Sequence, residues 1–205
     1  FANFFTVSAR GCLFHNIAWV TEFTAGHASS IPLTVSAPFN RFNRCHIAGM
    51  IDAASGGGTG ARCVKLTASE NMFENCVIGV DTIARSVANA SIEFASGAGR
   101  NVFDKCWFPI RATATSPLLV VVAAAAGMDR FNYFVRPKIW NHGTSIIAGL
   151  CTLAANAGGY LAFEDPKVIR SITGFGTDAT SRGQIYITGP TDGSTVSGIG
   201  YNPNA

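Results

Sequence analysis

Apolar residues recur along this chain on two scales. On the short scale they alternate with other residues at every second position, the pattern of a strand with one buried face. Phe5 and Val7, Leu33 and Val35, Val64 and Leu66, Ile92 and Phe94, and Val120 and Val122 all show it. On the long scale a whole phrase returns. Nine residues after Phe5, Leu33, Val64, Phe94 and Val122 stand Phe14, Phe42, Phe73, Phe103 and Phe131. They open "FHNIAW", "FNRCHI", "FENCVI", "FDKCWF" and "FNYFVR", at spacings of 28, 31, 30 and 28. The fourth position of each phrase is apolar: Ile17, Cys45, Cys76, Cys106 and Phe134. The second and third positions are polar in the first four phrases, and Tyr133 is the exception in the fifth.

A period of this size belongs to repeat architectures that stack one unit on the next. Helical repeats fit poorly, because Gly and Asn interrupt any run at i, i+3, i+4 and i+7. The pattern predicts an all-β chain: a right-handed parallel β-helix of about five coils of 28–31 residues over residues 1–138. Equivalent residues then stack along the axis. Phe14, Phe42, Phe73, Phe103 and Phe131 form one interior ladder, and Cys45, Cys76 and Cys106 form a second beside it. Asn40, Asn71 and Asn101 each lie two residues before the Phe. They fall at a turn, where Asn tolerates left-handed geometry and bonds local backbone. After residue 138 the phrase stops. Short apolar runs punctuated by Gly and Pro predict a small β-rich C-terminal cap over 139–205, with a polar, loop-like ending "TDGSTVSGIGYNPNA".

The "N-x-F-x-x-C-x-I" coils resemble the pectin-lyase-like superfamily of right-handed parallel β-helices, over residues 1–138. That superfamily includes pectate lyases, polygalacturonases, phage tailspikes and other virion proteins. The stretch "GYLAFEDPKVIRSITGFGTDATSRGQIYITGP" is similar to C-terminal ends of phage structural proteins. Together these resemblances imply a non-enzymatic bacteriophage virion protein, made in the host cytoplasm. It would be a homotrimeric capsid decoration, cement or spike protein that binds the major capsid protein or other virion proteins and stabilises the capsid. The alternative they imply is a tailspike or receptor-binding β-helix that binds or cleaves host polysaccharide.

Composition narrows the classes. Only 13% of the 205 residues are charged, so Ser, Thr, Asn, Gly and Ala cover the surface, as suits a face buried by neighbouring subunits. The net charge is +3, with no basic run to mark a nucleic-acid footprint. No apolar stretch is long enough for a membrane span. The chain opens at Phe1 without Met, which suggests a longer product. Six cysteines lack any C-x-x-C spacing, so they read as small buried side chains and not as a zinc site.

Candidate chemistry is sparse, and neither metal nor cofactor is expected. Glu74 and Asp104 hold the same place in neighbouring phrases and stack one coil apart. Retaining glycosidases separate their two carboxyls by about the distance between stacked strands, so this is the best acid pair in the chain. Arg44, Asn75 and Lys105 beside them favour a solvated polar stripe instead. The paired aspartates and the Gly-His-Gly and Arg-Ile-Lys motifs of polygalacturonases are absent. His15, His27, His46 and His142 show no metal or triad spacing. Gly56-Gly57-Gly58-Thr59-Gly60 lacks the Lys-Ser/Thr of a phosphate loop. If the chain binds sugar, Trp19, Trp107 and Trp140 are the candidates for stacking.

Overall fold

A computed structural model describes residues 3–21, 28–170 and 172–189. The chain winds as coils of three short strands. The first coil holds β1 (Asn3–Val7), β2 (Leu13–His15) and β3 (Ala18–Val20). The second holds β4 (Ile31–Val35), β5 (Arg41–Asn43) and β6 (His46–Ala48), followed by a short helix α1 (Ala53–Gly56). The third holds β7 (Arg62–Leu66), β8 (Met72–Glu74) and β9 (Val77–Ile78). The fourth holds β10 (Ala90–Phe94), β11 (Val102–Asp104) and β12 (Trp107–Ile110). The fifth holds β13 (Leu118–Val122), β14 (Arg130–Val135) and β15 (Lys138–Asn141). The sixth holds β16 (Cys151–Leu153), β17 (Gly159–Glu164) and β18 (Lys167–Ile169). Helix α2 (Ala179–Gly183) and β19 (Ile185–Thr188) follow.

The first strands of the coils form sheet A, β1-β4-β7-β10-β13-β16. The second strands form sheet B, extended by β19, and the third strands form sheet C. Every strand pairing is parallel. The chain is therefore all-β with almost no helix, a parallel β-solenoid that climbs about five turns from β1 to β16.

One residue makes the corner between sheets B and C in each coil. It is Asn16, Arg44, Asn75, Lys105, Arg136 and Asp165 in turn, with φ between 46° and 54°. Left-handed backbone at a non-glycine residue is uncommon, yet here it stacks through six coils. The tight corner turns the chain from one sheet to the next, and the polar side chain at each corner stays outside.

The interior is the set of ladders that the period predicted, with one correction. Rings of Phe14, Phe42, Phe73 and Phe103 stack at 4.5–5.0 Å with planes within 12°. The next ring is Phe134, not Phe131: Phe103 pairs with Phe134, 4.8 Å away, and Phe163 continues the stack. Phe131 lies on the outer face of sheet B, stacked on Tyr160. The fifth coil has a longer run between sheets, so the nine-residue rule lands three residues early. Cys45, Cys76 and Cys106 do form the second ladder, each thiol reaching the carbonyl of the Phe one coil back (Phe14, Phe42 and Phe73) at 3.4–3.6 Å. Ile17, at the same phrase position in the first coil, is instead 38% exposed.

The asparagines are a third ladder. The Asn71 carboxamide oxygen accepts the Asn40 backbone N–H, Asn101 accepts that of Asn71, and Asn132 accepts that of Asn101, all at 3.0–3.1 Å. The Asn101 amide in turn donates to the Ala68 carbonyl. Each Asn is at most 1% exposed. The buried turn between sheets A and B therefore has its polar groups paired coil to coil.

Past residue 138 the coils continue before the end of the solenoid is closed. β16, β17 and β18 extend the same three sheets, and the boundary expected at residue 138 falls at the start of β15. The phrase is hidden there because Pro166 replaces the Cys and no Asn precedes Phe163 at the ladder position. Helix α2 closes this end: the Ser181 hydroxyl accepts the Leu153 N–H at 2.9 Å, and Asp178 caps the helix through the Ser181 N–H. At the opposite end Phe4, Leu13 and Val20 are 58%, 67% and 46% exposed. The polar ending 191–205 and His27 lie outside the described residues.

Candidate functional site

The acid pair singled out from the sequence is brought together as expected. Glu74 and Asp104 are register partners on β8 and β11, on the outer face of sheet B. Each is closed by an arginine. Arg41 pairs with Glu74 through Nε, and Arg136 Nη2 lies 2.9 Å from Asp104. Asn43 Nδ2 also donates to Glu74 at 3.4 Å. The Arg41 hydrogen bond holds the Glu74 carboxyl below its ordinary value. A general acid needs the opposite shift, so Glu74 is tuned away from that role.

Farther along the same face stands an aromatic cluster that the sequence reading missed. Phe131 lies 5.2 Å from Tyr160, 5.8 Å from Tyr133 and 5.4 Å from Tyr186. The three tyrosines are each about 40% exposed. Their spacing follows from the register: Phe131 sits opposite Tyr160, and Ala162 sits between Tyr133 and Tyr186.

The cysteine ladder is chemically quiet. The Cys106 thiol, with burial, pushes Cys76 up to about 12. Cys45 is raised by its contact with Cys76 and by burial. Cys63 and Cys151 are raised by burial alone. Reactive cysteines need lowered values, so these act as packing groups.

A cleft lies at the far edge of sheet C, where the loops return to sheet A. Asp81, Thr82, Arg111, Thr113, His142, Gly143 and Thr144 line about 470 Å3. Three successive coils supply them, and Thr82, Thr113 and Thr144 recur at 31-residue spacing. That recurrence was available in the sequence and marks the site better than the histidines did. Two devices hold the cleft in shape. Asn141 is buried, and its side chain accepts the Ala112 and Gly143 N–H groups at 3.2 and 3.0 Å. A Cβ on Gly143 would meet the Ala112 carbonyl oxygen at 1.9 Å, so only glycine lets these loops approach. Arg85 is the second device. Its guanidinium is buried, meets no carboxylate among the described residues, and donates to Asn89, Ser91 and the Leu118 carbonyl. Burial lowers its value to about 10. The Arg85 backbone also bridges to Arg111 and Thr113, which fixes the Asp81 loop against the next coil.

Two of the three tryptophans stack on sheet C, and one of them, Trp140, reaches the cleft through His142. Trp107 and Trp140 stack at 5.7 Å with planes 10° apart, and the Trp140 ring meets His142 edge to face at 5.4 Å. Trp19 is not with them. It is buried at 5% exposure against Phe5, Phe14 and Phe42, because its register partner is the interior Ile47. His15 and His46 lie on the strands of other coils, away from the cleft. Among the described residues no three His, Cys, Asp or Glu side chains gather as metal ligands. No protein-family model, no curated protein and no solved structure matches the chain.

Proposed function

We propose that the chain is a non-enzymatic structural protein of a bacteriophage virion, a homotrimeric decoration, cement or spike β-solenoid that clamps capsid subunits. The outer face of sheet B supports this reading most. Its two best acids are spent in ion pairs, and it carries an exposed aromatic cluster of the kind that anchors protein interfaces. A rigid rod with paired interior ladders transmits load without moving parts. Its mechanism would be mechanical: sheet B packs against a neighbouring copy, and the remaining faces hold the shell.

Sedimentation analysis of the full chain tests the assembly, and electron microscopy of the native particle tests its place. The expected result is a trimer that Phe131→Ser with Tyr160→Ser dissociates, seated on the capsid lattice. A monomer at micromolar concentration, or a copy at the tail tip alone, would overturn the capsid role. Hydrolysis of a host polysaccharide that Glu74→Gln abolishes would replace it with an enzymatic one.

A further inference from the structure

Sheet C differs from the other two sheets in its charge. Sheet A carries Glu93, and sheet B carries Glu74, Asp104 and Glu164. No strand of sheet C holds a carboxylate. In its last three coils Phe108, Ile139 and Val168 point to the core. Trp107, Pro109, Lys138, Trp140, Lys167 and Ile169 alternate with them and form the outer face. Trp107 is 37% exposed and Ile169 51%. The rings of Trp107 and Trp140 stack on each other, and neither indole N–H has a hydrogen-bond partner among the described residues. Lys138 and Lys167 are register partners. Two exposed like charges therefore stand one strand spacing apart, about 4.8 Å, and such a pair is unfavourable by itself. Neither lysine has an ion pair among the described residues. Lys105 at the corner and Arg170 after β18 add two more exposed, unpaired cations. Across the corner, Glu164 and Asp165 of the sixth coil pair with none of the four.

We propose that this face docks on an anionic membrane surface, lying in the headgroup region without spanning it. The charge distribution selects the partner. Protein interfaces arrange charges of both signs so that pairs form across them. Here apolar rings stand beside cations with no acid among them, as on surfaces that seat in a layer of anionic headgroups. An anionic leaflet relieves the repulsion between Lys138 and Lys167. The indole combines an apolar body with an N–H donor, which suits the boundary between acyl chains and headgroups. Ile169 continues the row of Pro109 and Trp140 and adds apolar surface at the last strand of the sheet. Parallel strands hold these groups on one face, so no folding step is needed to present them. No helix among the described residues is long and apolar enough to cross a bilayer, and docking on the surface needs none. The membrane role goes beyond the capsid role and does not rest on it, because Phe131 and Tyr160 on sheet B take no part.

Flotation of the full chain with lipid vesicles tests the site. Vesicles of phosphatidylcholine with about one third phosphatidylglycerol are compared with phosphatidylcholine alone, at about 0.1 M and about 1 M salt. The expected result is binding to the anionic vesicles at the lower salt, release at the higher, and none to phosphatidylcholine alone. Tryptophan emission should shift to shorter wavelength on binding, as Trp107 and Trp140 leave water. Lys138→Gln with Lys167→Gln should weaken binding at least about tenfold, and Ile169→Ser at least about threefold. Arg44→Gln, at the corner of the second coil, should leave it unchanged. All four substituted side chains are exposed, and thermal melts check that the variants fold. Absence of binding to the anionic vesicles, or equal binding to phosphatidylcholine alone, would overturn the proposal. So would binding undiminished in the lysine double variant, or binding without the emission shift. Polyglutamate that outcompetes the anionic vesicles would also overturn it and assign the face to an acidic protein.

Discussion

Asn101 shows how a single side chain holds two coils. Its oxygen accepts the Asn71 N–H, and its amide donates to the Ala68 carbonyl and to Asn132. Truncation leaves buried backbone groups unpaired. Asn101→Ala is therefore expected to cost about 2–3 kcal/mol, read from urea unfolding. Glu74 gives a pH-dependent prediction. Its carboxyl is held below the ordinary 4.5 by the Arg41 hydrogen bond. The stability it contributes is present above that value and is lost as the pH falls through the lowered one. The urea midpoints of the parent and Glu74→Gln should thus converge as the pH falls below the ordinary carboxyl value of 4.5 and through the lowered one. A constant gap across that window would show that the Arg41 pair contributes nothing.

Among the elements, the Phe ladder separates core from surface. Phe103 is fully buried between Phe73 and Phe134. Phe103→Ala should cost about 3–5 kcal/mol, whereas Phe131→Ala on the outer face should cost about 1 kcal/mol in the monomer. Equal losses would contradict the register of β14. This register was legible in the sequence, but not through the Phe alone. Asn40-x-Phe42, Asn71-x-Phe73 and Asn101-x-Phe103 recur as Asn132-x-Phe134, so the asparagine is the surer mark. It is surer because a ladder hydrogen bond fixes one position, while aromatic residues fill both faces of a strand. Alternation and the 28–31-residue period carried the fold class, since strands bury alternate residues and coils stack like on like. The sixth coil escaped notice because it keeps the strand pattern but replaces Asn and Cys with other residues. The acid pair was legible as a stacked pair; its arginines were not, since Arg41 and Arg136 come from other coils. The cleft hid because the 31-residue recurrence of Thr82, Thr113 and Thr144 carries no apolar or ionisable phrase to mark it.

On the scale of the whole molecule the two ends differ. α2 and β19 cover one end, while the first coil leaves Phe4, Leu13 and Val20 exposed. Between the ends, each coil meets its neighbours through the same three pairings and the same left-handed corner. Asn71 and Asn101 occupy one position 30 residues apart. Cutting out residues 71–100 would join Glu70 to Asn101, and both Glu70 and Arg100 precede their Asn with positive φ. The shortened chain should still fold, with a strand-rich circular dichroism spectrum and one cooperative melt. Its midpoint should be lower, because the clamp built by Arg85 and Asn89 leaves with the excised coil. Loss of all ordered structure would show that the coils are not interchangeable. Length in this protein therefore comes in whole steps of about 4.8 Å, the spacing of stacked strands. A duplication or deletion in register lengthens or shortens the rod by one rung, and an out-of-register change breaks it.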